Sequence, residues 1–180
     1  RRRFMDMELS QLDKIYLSNL INYNKVVNQR NKLLKELSFK SSEEKLETLD
    51  IWDLQLVKYG TEVMKRRVGF VQELNEIIGG LHEKLSGGTE KLTIEYQPCV
   101  EETTFLDTVT KMRERDLRMK STCFGPHKDD LIFFINGSEV KKYGSQGQQR
   151  TAALSLKLAE IELVKKVVKD TPVLLLDDVL

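Results

Sequence analysis

The residues best suited to chemistry lie late in the chain. Tyr143-Gly-Ser-Gln-Gly-Gln-Gln-Arg150-Thr151 precedes a helix-like run, and Pro172-Val-Leu-Leu-Leu-Asp177-Asp178 follows it. A polar, glycine-containing loop that opens a helix presents backbone N–H groups, which attract an anion such as a phosphate. A carboxylate leaving the end of a buried strand can hold Mg2+ beside that anion, directly or through water. In this order Asp177 is the metal ligand, and Asp178 is the group that orients or deprotonates water. Each half also has a plainer explanation. Ser145 or a neighbour could simply cap the helix, and paired aspartates could simply cap a buried strand's exit. A cap accounts for one polar residue but not for Ser-Gln-Gly-Gln-Gln-Arg.

Such a loop needs elements to hold it. From residue 7 to about 37, Leu9, Leu12, Tyr16, Leu20, Tyr23, Val27 and Leu34 recur mostly three and four apart, which predicts one long helix. Ser41 and Glu44 have capping-box spacing for a second helix. That helix runs over residues 46–85 through Leu56, Tyr59, Val63, Phe70, Leu74, Ile77 and Leu81. Gly79-Gly80 should weaken it and Gly87-Gly88 should stop it. Two helices of ~30–40 residues joined by a short turn predict an antiparallel hairpin roughly 45–60 Å long.

After Gly88 the period changes. Residues 92–96 alternate like a strand that ends at Pro98, and residues 104–119 read as one helix. Residues 130–135 read as a strand, and Asn136-Gly137 as a hairpin turn into a second strand over 139–143. A helix is predicted over 148–169, with Ala152, Leu156, Ala159 and Leu163 in register. The apolar run 173–176 reads as a strand covered on both faces of an α/β sheet.

Bulk composition sets limits. The sequence carries 29 Lys and Arg against 28 Asp and Glu, so any nucleic-acid contact must come from local patches. Cys99 and Cys123 have neither CxxC spacing nor a disulfide framework, which suits a reduced, cytoplasmic setting. No apolar run approaches the ~18–20 residues of a membrane span. The absence of an initiator methionine, and an end two residues beyond Asp178, suggest a piece of a larger protein.

Gly144-Ser-Gln-Gly-Gln148 with Gln149-Arg150 resembles the signature loop of ATP-binding-cassette (ABC) ATPases, and residues 173–178 resemble their Walker B strand. Gln146 stands where a glycine is usual, and Asp178 where a glutamate is usual. With Gly125-Pro-His-Lys-Asp-Asp-Leu131 and Arg1-Arg-Arg-Phe-Met-Asp6, these motifs resemble the RecF family of bacterial recombination mediators over nearly the whole chain. The resemblance implies a mixed α/β fold: a long antiparallel helical arm over 5–87, and the C-terminal half of an ABC-type ATPase lobe over 88–180. It implies a head of the SMC type that hydrolyses ATP with Mg2+ and dimerises around two ATP molecules. Ser145, Gln146, Gly147 and Gln148 would meet the ATP held by the opposite subunit, Asp177 would hold Mg2+, and Asp178 would act on water. The implied partners are DNA, RecR and RecO, in loading recombinase at gaps.

No Gly-x-x-x-x-Gly-Lys-Ser/Thr loop occurs in the sequence, so the primary ATP site is expected upstream and this portion alone is expected to be inactive. Two other readings use the same residues. One is a non-enzymatic helical interaction module whose end motifs are ordinary caps. The other is the head of a different SMC-like protein of the RecN type.

Basic residues cluster at Lys111, Arg113, Arg115, Arg118 and Lys120. On a single helix Lys111, Arg115 and Arg118 share a face, either a solvated one or one that meets DNA phosphates. Arg1–Arg3 and Arg66-Arg67 are similar, weaker candidates. His127 reads as a turn residue bonded to Asp129 or Asp130, or as a contact near nucleotide or DNA; a single histidine does not make a zinc site.

Overall fold

The computed structural model describes residues 2–39 and 42–168. Asp177, Asp178, the strand expected over 173–176, Arg1 and Ser41 lie outside the described residues. The chain forms two compact units, one of residues up to Gly69 with Tyr96–Leu131, the other of Phe70–Glu95 with residues from Ile132 onward.

The first unit is built on three helices, α1 (Arg2–Leu12), α2 (Lys14–Leu37) and the early part of α3 (Glu43–Leu85). Contacts between α2 and α3 climb one helix as they descend the other. Glu36 pairs with Lys45 at 2.9 Å, Arg30 with Asp53 at 2.6 Å, and Arg67 with Tyr16 at 3.1 Å. The helices are therefore antiparallel, as the periodicity predicts. At Gly60 the packing leaves no room for a side chain: a Cβ there would lie 2.6 Å from the Phe105 ring and 3.1 Å from the Tyr23 ring. Leu33, Leu34, Leu37 and Leu49 close the turn end of the hairpin, with Leu46, Trp52 and Leu117 packed against them.

The single helix expected over 7–37 is broken at Asp13. Its backbone is extended, and its carboxylate accepts the N–H groups of Ile15 and Tyr16, both at 2.9 Å, as the N-cap of α2. Burial alone would raise its pKa, but these bonds and Arg66 outweigh it and hold the carboxyl below its ordinary value. The cap of α3 also differs from expectation. Ser42 fills it, accepting from Lys45 N at 3.4 Å, and Gly79-Gly80 pass within α3 without ending it. Gly87 and Gly88, at φ +66° and +80°, do end the helix.

The helix expected over 104–119 is two: α4 (Phe105–Lys111) and α5 (Arg113–Met119), separated at Met112. Phe105 and Val109 of α4 and Asp116 of α5 are buried, and Asp116 binds Arg30 at 2.6 Å.

Three strands, β1 (Leu92–Gln97), β2 (Asp130–Ile135) and β3 (Ser138–Glu139), make a sheet in the order β1-β2-β3. β2 and β3 are antiparallel, with Phe134 opposite Glu139 and Ile135 opposite Ser138. Asn136 and Gly137 turn between them at φ +50° and +80°, a geometry suited to this dipeptide. The strand expected over 139–143 stops at Glu139. Val140 is buried, and the chain closes one helical turn, α6 (Val140–Tyr143), with Gly144 N–H on Val140 O at 2.9 Å. The last described element is α7 (Gln146–Val168), which buries Ala152, Ser155, Ala159 and Leu163. Among the described residues no helix is long and apolar enough to cross a membrane.

Candidate functional site

The loop singled out by sequence sits between α6 and α7, in the second unit. Gly144 opens it, where a Cβ would come within 2.5 Å of Val140 O. Ser145 is the N-cap of α7: its hydroxyl oxygen accepts from Gln148 N at 3.1 Å, and its own N–H donates to Gln148 Oε1 at 2.9 Å. This is a reciprocal capping box with glutamine at the third helical position. Gln149 N donates to Ser145 O at 3.0 Å.

The first four N–H groups of a helix have no intrahelical acceptor. Here the Ser145 hydroxyl satisfies that of Gln148, and the Gln148 side chain satisfies that of Ser145. Among the described residues nothing accepts from the N–H groups of Gln146 and Gly147, and Ser145, Gln146 and Gly147 are all exposed. The Ser145 hydroxyl, used as an acceptor by Gln148, still has its hydrogen to donate. The plain capping reading of Ser145 is thus realised, and the cap leaves three donors facing outward at a helix N-terminus. They suit a phosphate oxygen. Gln148 is half-buried, and its side-chain amide donates to Glu90 Oε1 at 2.9 Å. Arg150 is exposed. Asp177 and Asp178, the residues expected to hold Mg2+ and act on water, lie outside the described residues. Among those described, no group of three or more histidine, cysteine, aspartate or glutamate side chains is placed to hold a metal.

The two other motifs meet in the first unit, around a residue assigned otherwise from sequence. Arg67, an expected DNA contact, is buried at 1% exposure. Its guanidinium donates to Asp6 at 2.7 Å, to the Pro126 carbonyl at 2.7 Å and to Asp129 at 3.2 Å. Asp129 also accepts from the Tyr96 hydroxyl and from Cys99 N. Arg2 donates to the His127 carbonyl, and Arg66 pairs with Asp13 at 3.1 Å. The 125–131 segment is therefore a turn tied to α1 through Arg2 and to α3 through Arg67. Arg67 occupies an apolar-seam position between Val63 and Phe70, and a cation on a buried stripe is the signal that marks it.

His127 bonds to neither Asp129 nor Asp130. Its Nδ1 faces the Tyr23 hydroxyl at 2.5 Å and its Nε2 faces the Thr122 carbonyl at 3.0 Å. The carbonyl can only accept, so Nε2 carries the hydrogen and Nδ1 accepts from Tyr23. Burial lowers the imidazole pKa, against the pull of the Thr122 carbonyl, and raises the phenol well above its ordinary value. Both shifts favour the neutral forms.

The basic cluster is divided. Lys111 ends α4, whereas Arg115 and Arg118 lie on α5, so the three do not share one helix face; all three are exposed. Arg115 lies over the Phe124 ring and Lys120 over the Phe39 ring. Arg113 is taken up by Asp50 at 2.5 Å and Asp53 at 2.6 Å. Sequence reasoning missed Arg30 entirely: it is fully buried and bonded to Asp53, Asp116 and Thr122.

The fold is mixed and helix-rich. Over 99% of its length it matches a solved structure of the recombination mediator protein RecF-ATP in the RecFOR pathway, with a TM-score of 0.91 and 37% identity, covering 50% of that chain. The DNA replication and repair protein RecF of Lachnospira eligens is 64% identical over 180 residues, all of this chain and 50% of the relative. That of Halalkalibacterium halodurans is 47% identical over 190 residues, 51% of its length. No family model matches the chain. The whole chain is thus similar to about half of the RecF proteins. It spans about half the length of the curated relatives it matches.

Proposed function

We propose that this chain is part of an ATP-hydrolysing DNA-repair and recombination protein and that its loop at 144–149 engages ATP held by a second copy of the protein. The observation that carries this reading is the set of outward donors at Ser145, Gln146 and Gly147, opening α7. A composite site explains why they face solvent: they complete a phosphate cradle when two heads meet. The structural likeness to RecF-ATP supports the nucleotide, and the names of the relatives support replication and repair as the setting.

In the full-length protein a phosphate loop elsewhere in the chain holds ATP. Asp177 contributes to Mg2+ binding, and Asp178 orients or deprotonates the attacking water. Mg2+ supplies charge neutralisation on the phosphates. ATP then acts as the glue that joins two heads, closing a cytoplasmic clamp on DNA that works with RecR and RecO to load recombinase. Lys111, Arg115 and Arg118 are the exposed cations available for sequence-independent phosphate contacts. Residues 5–87 serve as the arm and 88–180 as part of the ATPase lobe.

Ser145→Arg in the full-length protein is the test. ATP binding by the monomer should persist while ATP-dependent dimerisation, followed by analytical ultracentrifugation, should fail together with hydrolysis. If Ser145 is a cap alone, the variant loses about 0.5–2 kcal/mol of stability and still dimerises on ATP.

A further inference from the structure

We infer that Glu90 and His82 are positioning residues for the 144–149 loop, acting through Gln148. Four side chains form a continuous run. Gln148 Nε2 donates to Glu90 Oε1 at 2.9 Å, the other Glu90 oxygen meets His82 Nε2 at 3.1 Å, and His82 Nδ1 meets Ser155 Oγ at 2.8 Å. Ser155 Oγ is also 2.8 Å from the Thr151 carbonyl, one turn earlier in α7. His82 and Ser155 are fully buried, while the Glu90 side chain is 21% exposed. All four belong to the second unit.

A capping box needs only its two members, so the third partner requires a reason. The Gln148 amide must present its oxygen to Ser145 N–H, and its nitrogen elsewhere. Turned over, it would point an NH2 group at that N–H. A carboxylate accepts and cannot donate, so Glu90 selects the correct amide orientation. Glu90 follows the glycine pair that ends α3, and His82, from the last turn of α3, holds its far oxygen. The relay ties the end of α3 to the first turn of α7, where the outward donors lie. Its effect on the ATP-bridged dimer rests on the reading of that loop given above. Preorganised donors lose less freedom when a phosphate arrives.

In the full-length protein, Glu90→Ala should leave ATP affinity of the monomer within about twofold of wild type. It should also raise the protein concentration needed for ATP-driven dimerisation about tenfold, equivalent to ~1.4 kcal/mol. Without nucleotide, amide hydrogen exchange at residues 145–149 should accelerate several-fold. Glu90→Gln should restore both properties only in part, because its side-chain oxygen can still accept from Gln148 but its amide, which can also donate, no longer enforces the orientation. A thermal melt checks that each variant is folded. Wild-type exchange in Glu90→Ala overturns the positioning role without reference to ATP. Faster exchange with wild-type dimerisation overturns its functional consequence. Ser145→Arg run alongside separates the causes: if it too dimerises normally, the trans reading of the loop has failed, and the inference with it.

Discussion

The Tyr23 hydroxyl donates to Nδ1 of His127 at 2.5 Å, joining residues 104 apart in sequence. The bond requires an imidazole without a proton at Nδ1, and burial lowers the His127 pKa accordingly. The folded state therefore resists protonation more than the unfolded state does. This contribution is fully present above the unfolded value of about 6.5. It is lost as pH falls from there through the lower folded value.

His127→Gln should accordingly flatten the acid limb of stability. Wild type should lose up to about 1.4 kcal/mol per pH unit from this group within that window. The variant should be less stable at pH 8 but lose less below pH ~6.5. Urea unfolding at a series of pH values measures the difference; parallel curves for the two proteins would remove His127 from the account.

Gly60 pits helix propensity against packing. Alanine favours a helix interior over glycine by about 1 kcal/mol, but the new methyl would press on the rings of Phe105 and Tyr23. Overpacking of this kind costs about 1–3 kcal/mol. Gly60→Ala should destabilise, and in a Phe105→Leu background it should become neutral or stabilising. A double-mutant cycle by denaturation reads the sign change.

Arg30 is fully buried, and its Nη2 has no partner among the described residues. Arg30→Met would leave Asp116 buried with only the Cys123 N–H on its carboxylate. A loss of about 3–5 kcal/mol is expected. Replacing Arg30, Asp53 and Asp116 together with apolar residues should recover much of it, as measured by the denaturation midpoint.

In the full-length protein, Asp177→Asn should impair Mg2+-dependent hydrolysis, and Asp178→Asn should slow turnover while sparing ATP binding. Wild-type hydrolysis rates for both variants would make that segment purely structural.

The helical hairpin and its antiparallel sense were legible because a 3.6-residue apolar period survives over two long helices. The breaks were not. Asp13 and Met112 sit inside good helical patterns, and what ends each helix is a specific bond or burial. The loop at 144–149 was legible by residue type, yet its partners were not: His82 and Glu90 flank a glycine turn more than fifty residues earlier in the chain. Arg30 was overlooked and Arg67 misassigned for a shared reason. Charge suggests solvent, and only their place on an apolar stripe says otherwise.

Arg67 also bears on how the first unit forms. Asp6 lies 61 residues before it and Asp129 lies 62 after it. A chain emerging from a ribosome at roughly 5–20 residues per second spends on the order of 3–12 seconds between making Arg67 and making Asp129. Through that interval Arg67 has only the earlier carboxylate, and the turn that covers it does not yet exist. The hairpin can assemble early, but its central cation remains open to water until residues 126–129 arrive. Closure of the first unit is thus a late, long-range event, timed by synthesis of the 125–131 segment.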